Sequence, residues 1–128
     1  MKILLMLITM TTGAQAMDRI TALAQVETGM CDTARGQSGE VSRWQITPEV
    51  WRRHTNLPLS AAVNPFTAVH VVEIEQAEHV RRFVQSHHRQ PTDAEWYGLW
   101  SRPARADHLR IAEAERAKRF ANLCGRKP

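Results

Sequence analysis

Apolar side chains fall at helical spacing along most of this chain and lose that spacing over one stretch in between. Residues 18–28 place Ile20, Leu23, Ala24 and Val26 on one face, with Asp18 as a possible cap and Gly29 as a stop, so a helix is predicted there. The next segment, CDTARGQSGEVSRWQI, has little helical periodicity and holds Gly36 and Gly39; a loop or a small, poorly regular hairpin is predicted. Thr47 then caps a short helix with Pro48 at its first position and Val50 and Trp51 facing inward. Asn64 caps the longest element, predicted over 65–88. Its stripe is Phe66, Val69, Val72, Gln76 or Ala77, Val80, Phe83 or Val84, and His87, at steps of three and four. Thr92 and Glu95 form a capping-box pattern before Trp96, Tyr97, Leu99 and Trp100. Pro103 ends that helix. Residues 104–124 read as a last helix with Leu109, Ala112, Glu113 or Arg116, Phe120 and Leu123 or Cys124 on its face. The sum is a mostly α domain with a long central helix and an irregular insert after helix one. No repeat or linker divides it.

The first residues change the expected location. Lys2 precedes an apolar run, Ile3 to Met10, and Ala14-Gln15-Ala16 has the small-x-small form of a cleavage site. Residues 1–16 are read as a signal peptide and 17–128 as one domain, periplasmic or secreted; a buried N-terminal helix is the other reading. The run is too short to span a bilayer, so no stable membrane insertion is expected after cleavage. Seventeen basic residues, mostly arginine, outweigh 13 acidic ones to give a formal +4. They are scattered and no binding motif organises them, so nucleic acid is a weak candidate partner and an anionic wall polymer a better one. Cys31 and Cys124 are the two cysteines. In an oxidising compartment such a pair is expected to form a disulfide, tying the end of the first helix to the last and contributing about 3 to 5 kcal/mol.

Several chemistries find no support. The six histidines form no HExxH motif, neither cysteine has metal-ligand spacing, and no serine sits in a hydrolase elbow. No phosphate-cradling glycine loop precedes a lysine. No metal site and no cofactor are expected. Among the carboxylates, Glu27 is best placed. Val26 and Met30 flank it with apolar surface, and it sits where its helix ends. Partial burial and the negative end of a helix both favour its protonated form. A carboxylic acid retained near neutral pH can protonate a leaving oxygen, the task of the general acid in glycoside cleavage. The alternative is a glutamate that merely ends a surface helix.

The segments VETG, residues 26–29, and ARGQSGEVSRWQITPEVW, residues 34–51, resemble the soluble lytic transglycosylase and goose-type lysozyme group. That group carries a glutamate followed by Ser-Gly, then an Ala-Arg-Ser-x-x-Gly-x-x-Gly-Leu-Met-Gln-Ile-x-Pro run. Matching positions here are Glu27 and Gly29, then Ala34, Arg35, Gly39, Gln45, Ile46 and Pro48, with no gap inside the run. Ser42 replaces a glycine of the run and Arg43 its leucine, and the group's Tyr-Asn-x-Gly motif has no intact counterpart.

The resemblance implies a lysozyme-like fold that cuts the β-1,4 bond between N-acetylmuramic acid and N-acetylglucosamine. Glu27 takes the role of single acid/base, and the substrate's 2-acetamido group replaces an enzymic nucleophile. Gln45 matches the glutamine lining the glycan groove. Trp44 either stacks under a sugar ring or fills core. Tyr97 is the best stand-in for the tyrosine that helps hold the reacting site, and Trp100 is a further candidate for the groove wall. Asp32 and Glu40 are candidate accessory carboxylates, both with poor claims. The expected partners are peptidoglycan strands and, for small enzymes of this group, a cell-envelope secretion assembly, with the protein itself a monomer. Two alternatives remain: a hydrolytic lysozyme acting on the same bond, and a noncatalytic glycan-binding or inhibitor module.

Overall fold

The computed structural model describes residues 15–125, so nearly all of the expected signal segment, 1–16, lies outside the described residues. The domain is mostly helical. Five α-helices follow in order: α1 (Arg19–Thr28), α2 (Pro48–His54), α3 (Pro65–His87), α4 (Asp93–Ser101) and α5 (Ile111–Gly125). Short 3-10 turns lie at Leu59–Val63 and Pro103–Arg105. No described helix is long and apolar enough to cross a membrane.

Local capping chemistry sets the helix starts. Asp18, Thr47 and Asn64 accept hydrogen bonds from the first-turn amides of α1, α2 and α3, and Thr92 with Glu95 completes a reciprocal capping box on α4. At the other end of α1, Gly29 closes the helix in the left-handed conformation, φ 63°. Residues 31–46 form the expected irregular hairpin. Two isolated antiparallel bridges, Arg35 with Val41 and Val41 with Ile46, are its regular pairing.

α5 packs against both α1 and α4, and α3 packs against α2 and α4. The Met17 amide donates to the Leu123 carbonyl at 3.0 Å, which sets the start of α1 beside the end of α5 and makes the two helices antiparallel. The core between them is closed by Phe120, fully buried, with its ring stacked on Trp96 and tilted against Tyr97. Leu23, Ile46, Trp51 and Val72 complete the core. Gln76, buried on α3, donates to the Trp96 carbonyl at 2.7 Å and ties the central helix to α4.

Three expectations need correction. Phe66 is 82 % exposed, because α3 buries the face carrying Ala68, Val72 and Gln76. Ala68 stands about 200° around the helix from Phe66. α5 begins at Ile111 rather than near 104. The preceding residues wrap over Gly98 of α4: a Cβ there would stand 3.0 Å from the Ala106 carbonyl oxygen and 3.6 Å from Leu109. The missing side chain makes room for that crossing, and the chain resumes a helix only after it.

The disulfide is the third. Cys31 and Cys124 are free thiols. Cys124 lies near Asp18 and Arg19 at the start of α1, whereas Cys31 follows its end. Ten residues of helix put about 15 Å between those ends, and a disulfide needs Cα atoms within about 7 Å.

Two outcomes follow from this packing. Thiol titration of the unfolded, unreduced monomer is expected to find both cysteines free, with the thermal midpoint unchanged by reductant; an internal crosslink in a mass map would contradict the helix arrangement. Phe120→Ala is expected to lower stability by about 3–5 kcal/mol in denaturant unfolding. A loss within experimental error would mean that the aromatic cluster does not hold α5.

Candidate active site

Glu27 is the second-last residue of α1, half-buried, on the wall of an open groove of ≈ 1370 Å³. Three helices meet at its carboxylate. The Tyr97 hydroxyl, from the fully buried face of α4, donates to Glu27 Oε1 at 2.6 Å. Arg116 of α5 donates from Nε to the same hydroxyl oxygen at 2.9 Å. The phenol is therefore oriented by a cation and hands its proton-side hydrogen bond to the carboxylate.

These neighbours pull the Glu27 acidity in opposite directions. Burial raises its pKa, and the nearby charge of Glu40 adds to the rise. The Tyr97 hydrogen bond and the Arg116 charge oppose it, and the net direction is upward. Tyr97 is itself pushed far above the ordinary phenol range by burial and by the Glu27 charge, so it stays neutral and remains a donor.

The loop after α1 is fastened to this carboxylate's own helix. Thr28 donates from Oγ1 to the Arg43 carbonyl at 2.8 Å and accepts from the Cys31 amide at 3.1 Å. Ser42 and Gln45 both have positive φ, 72° and 55°. Such backbone is unfavourable for residues with a Cβ, and it is held by local bonds: the Trp44 amide donates to Ser42 Oγ at 3.1 Å, and the Gln45 amide to the Ser42 carbonyl at 3.1 Å. Gln45 lines the groove, with its side-chain Nε2 turned to the Ser42 carbonyl at 3.1 Å. A Cβ on Gly36 would lie 2.1 Å from Glu40 Oε2 and 2.7 Å from Gln45 Oε1, so both side chains lie directly over that glycine.

The other candidates divide clearly. Glu40 and Trp100 line the groove with Glu27. Asp32 does not: it forms a paired ion bridge with Arg43 at 2.6 and 2.9 Å, which lowers its pKa, and its role is to fix the loop. Trp44 is 4 % exposed and donates its indole N–H to the Ile20 carbonyl at 2.8 Å, so it belongs to the core and offers no sugar-stacking face. Tyr97 is also withdrawn from the groove surface, and its hydroxyl meets Glu27.

No protein-family model, curated protein or solved structure matches this chain. The site is therefore read from its own geometry.

Sequence reading missed Arg116, which registered only as a position on the face of the last helix, and Thr28, whose one signal was its place after Glu27. It also missed a second cluster. On α2 and α3, Arg53, His54 and His79 converge on Glu75, a glutamate 3 % exposed in mid-helix. Arg53, Glu75 and His79 line the same groove as Glu27.

The raised pKa of Glu27 fixes a sign for pH. Between the unfolded and the higher folded pKa the native state binds more protons, so this group's contribution to stability falls as pH rises above the ordinary glutamate range. Glu27→Gln removes that penalty. It is expected to raise the thermal midpoint at neutral pH, with the gain vanishing in acid below the ordinary glutamate pKa; a midpoint lowered at neutral pH would contradict a buried carboxyl of raised pKa. Tyr97→Phe deletes an interaction that opposes burial, so carboxyl NMR is expected to show Glu27 titrating at higher pH than in wild type. A downward move would show that the phenol does not stabilise the carboxylate.

Proposed function

We propose that this protein is a lysozyme-like lytic transglycosylase that cleaves the β-1,4 bond between N-acetylmuramic acid and N-acetylglucosamine in peptidoglycan. The observation that carries the reading is the half-buried Glu27 carboxyl, its pKa raised, held by Tyr97 on the wall of a groove shared with Gln45 and Trp100. This is the kind of environment a general acid needs: burial that favours the protonated carboxyl and a fixed direction in which to give the proton. The motif resemblance of residues 26–51 supports the same assignment and supplies the substrate class. An extracytoplasmic wall enzyme, in service to an envelope secretion assembly, is also what the apolar run Ile3 to Met10 favours.

In this mechanism protonated Glu27 gives its proton to the bridging glycosidic oxygen as the bond to the muramic C1 breaks. The substrate's 2-acetamido oxygen bonds to C1 and carries the positive charge in a ring. Glu27, now a carboxylate, takes the proton of the muramic 6-hydroxyl, and O6 displaces the acetamide at C1. The product ends in a 1,6-anhydro ring, and Glu27 is protonated again. Tyr97 and Arg116 serve both stages. Their hydrogen bond and charge stabilise the carboxylate after it has given its proton, while burial favours the protonated form beforehand.

A second reading has its own support. Glu40 lies near enough to Glu27 to raise its pKa and lines the same groove, where a carboxylate can orient or deprotonate a water. Hydrolysis by a lysozyme-type route would follow, with a reducing end as product. Asp32 has no such claim, since Arg43 occupies both of its oxygens.

Digestion of purified peptidoglycan with mass analysis of the fragments tests both readings. Wild type is expected to release anhydro-ended muropeptides, and Glu27→Gln to lose at least about 100-fold in rate while remaining folded. Reducing ends, heavier by one water, that disappear in Glu40→Gln would establish the hydrolytic route instead. Equal release by wild type and Glu27→Gln would remove Glu27 from the chemistry altogether.

A further inference from the structure

We propose that His54, Glu75 and Glu78 form a binding site for a divalent transition-metal ion of the zinc class, clamping α2 to α3 along the groove wall. One ligand atom from each of the three residues lies within 4.8 Å of the other two. Two of the residues are well removed from water: the side chains of His54 and Glu75 are 10 % and 4 % exposed. A buried mid-helix carboxylate is costly without positive partners, so this position needs compensation.

The two oxygens of Glu75 have different surroundings. Oε1 receives Arg53 at 2.6 Å and His79 Nε2 at 3.2 Å. Oε2 faces His54 Nε2. Glu78 divides in a similar way, with Arg82 donating to its Oε1 at 3.0 Å. An arginine thus fixes each carboxylate from one side. That is the arrangement in which outer hydrogen bonds orient metal-binding carboxylates.

A zinc ion about 2.0–2.2 Å from each ligand holds tetrahedral ligand atoms about 3.4 Å apart. His54 Nε2 and Glu75 Oε2 are in direct hydrogen-bond contact, closer than that, so the two atoms part by a small side-chain shift to admit the ion. Glu78, the most exposed of the three, closes its own distance by a side-chain rotation. One imidazole with two carboxylates suits zinc better than magnesium or calcium, which take oxygen ligands alone, and better than copper(I), which prefers sulfur. Three protein ligands also leave a fourth position for water.

The sequence hides this set because His54 comes from α2, and the two glutamates lie 21 or more residues away on α3. Its spacing matches no short motif. The ion would join α2 to the central helix where Arg53 and His79 face the groove, and this role is independent of the chemistry at Glu27.

Calorimetric titration of the untagged, chelator-treated and dialysed chain with zinc chloride at neutral pH tests the site, with thermal melts beside it. The expected result is one zinc per chain, a raised thermal midpoint, and no comparable uptake of magnesium or calcium. His54→Ala and Glu78→Gln should each weaken zinc binding about tenfold or more. Glu78 is partly exposed, so its variant keeps the test valid even if His54→Ala fails to fold. Glu27→Gln and a Cys31→Ser, Cys124→Ser double variant should bind zinc as wild type does. No zinc uptake by wild type would leave an ion-free Arg–His–Glu network and overturn the proposal. So would unchanged affinity in Glu78→Gln, or loss of binding in the cysteine variant.

Discussion

A carboxylate at the C-terminal end of a helix, half out of water, has two reasons to refuse its charge: the helix dipole and desolvation. Glu27 is kept in that position by a phenol from α4, which an arginine of α5 holds in turn. The chain Glu27–Tyr97–Arg116 therefore needs α1, α4 and α5 in register with one another. The stacked rings of Trp96 and Phe120, with Tyr97 tilted against Phe120, supply that register from the apolar side. Hydrophobic packing and the polar contact share Tyr97: its ring belongs to the core and its hydroxyl to the site.

The loop over residues 31–46 is held by its own side chains. Ser42 takes a left-handed backbone where the resembled group has glycine, and its hydroxyl accepts the Trp44 amide. Arg43 stands where that group has leucine. Its guanidinium is neutralised by Asp32 and lies 5.4 Å from the centre of the Trp44 ring, so the charge is held over an aromatic face and beside a carboxylate rather than in a void. Asp32 and Arg43 act as one unit that fixes the loop. The carboxylate weighed as a catalytic accessory is held by Arg43 through both of its oxygens.

The groove joins two electrostatic neighbourhoods with different logic. At Glu27 burial outweighs the surrounding positive charge and the carboxyl's pKa is raised. At Glu75 one carboxylate collects an arginine and two imidazoles across two helices. The first arrangement suits giving and taking a proton. The second suits holding charge still, and it fastens the α2 and α3 portion of the wall.

Much of the fold was legible before any coordinates. Helix starts at Asp18, Thr47, Asn64 and Thr92, and the end of α1 at Gly29, depend on hydrogen bonds and backbone angles within a few residues, so the residue types announce them. The prominence of Glu27 was legible for the same reason: its helix ends beside it. Tertiary structure alone decided the rest. It sent Trp44 into the core, left Phe66 in water, set Cys31 and Cys124 at opposite ends of α1, and brought Arg116 to Tyr97 and His54 to Glu75. Each of those outcomes depends on which helix lies beside which and in what direction. Periodicity tells that a face is apolar or charged, but the partner of that face is chosen by packing between residues distant in the chain.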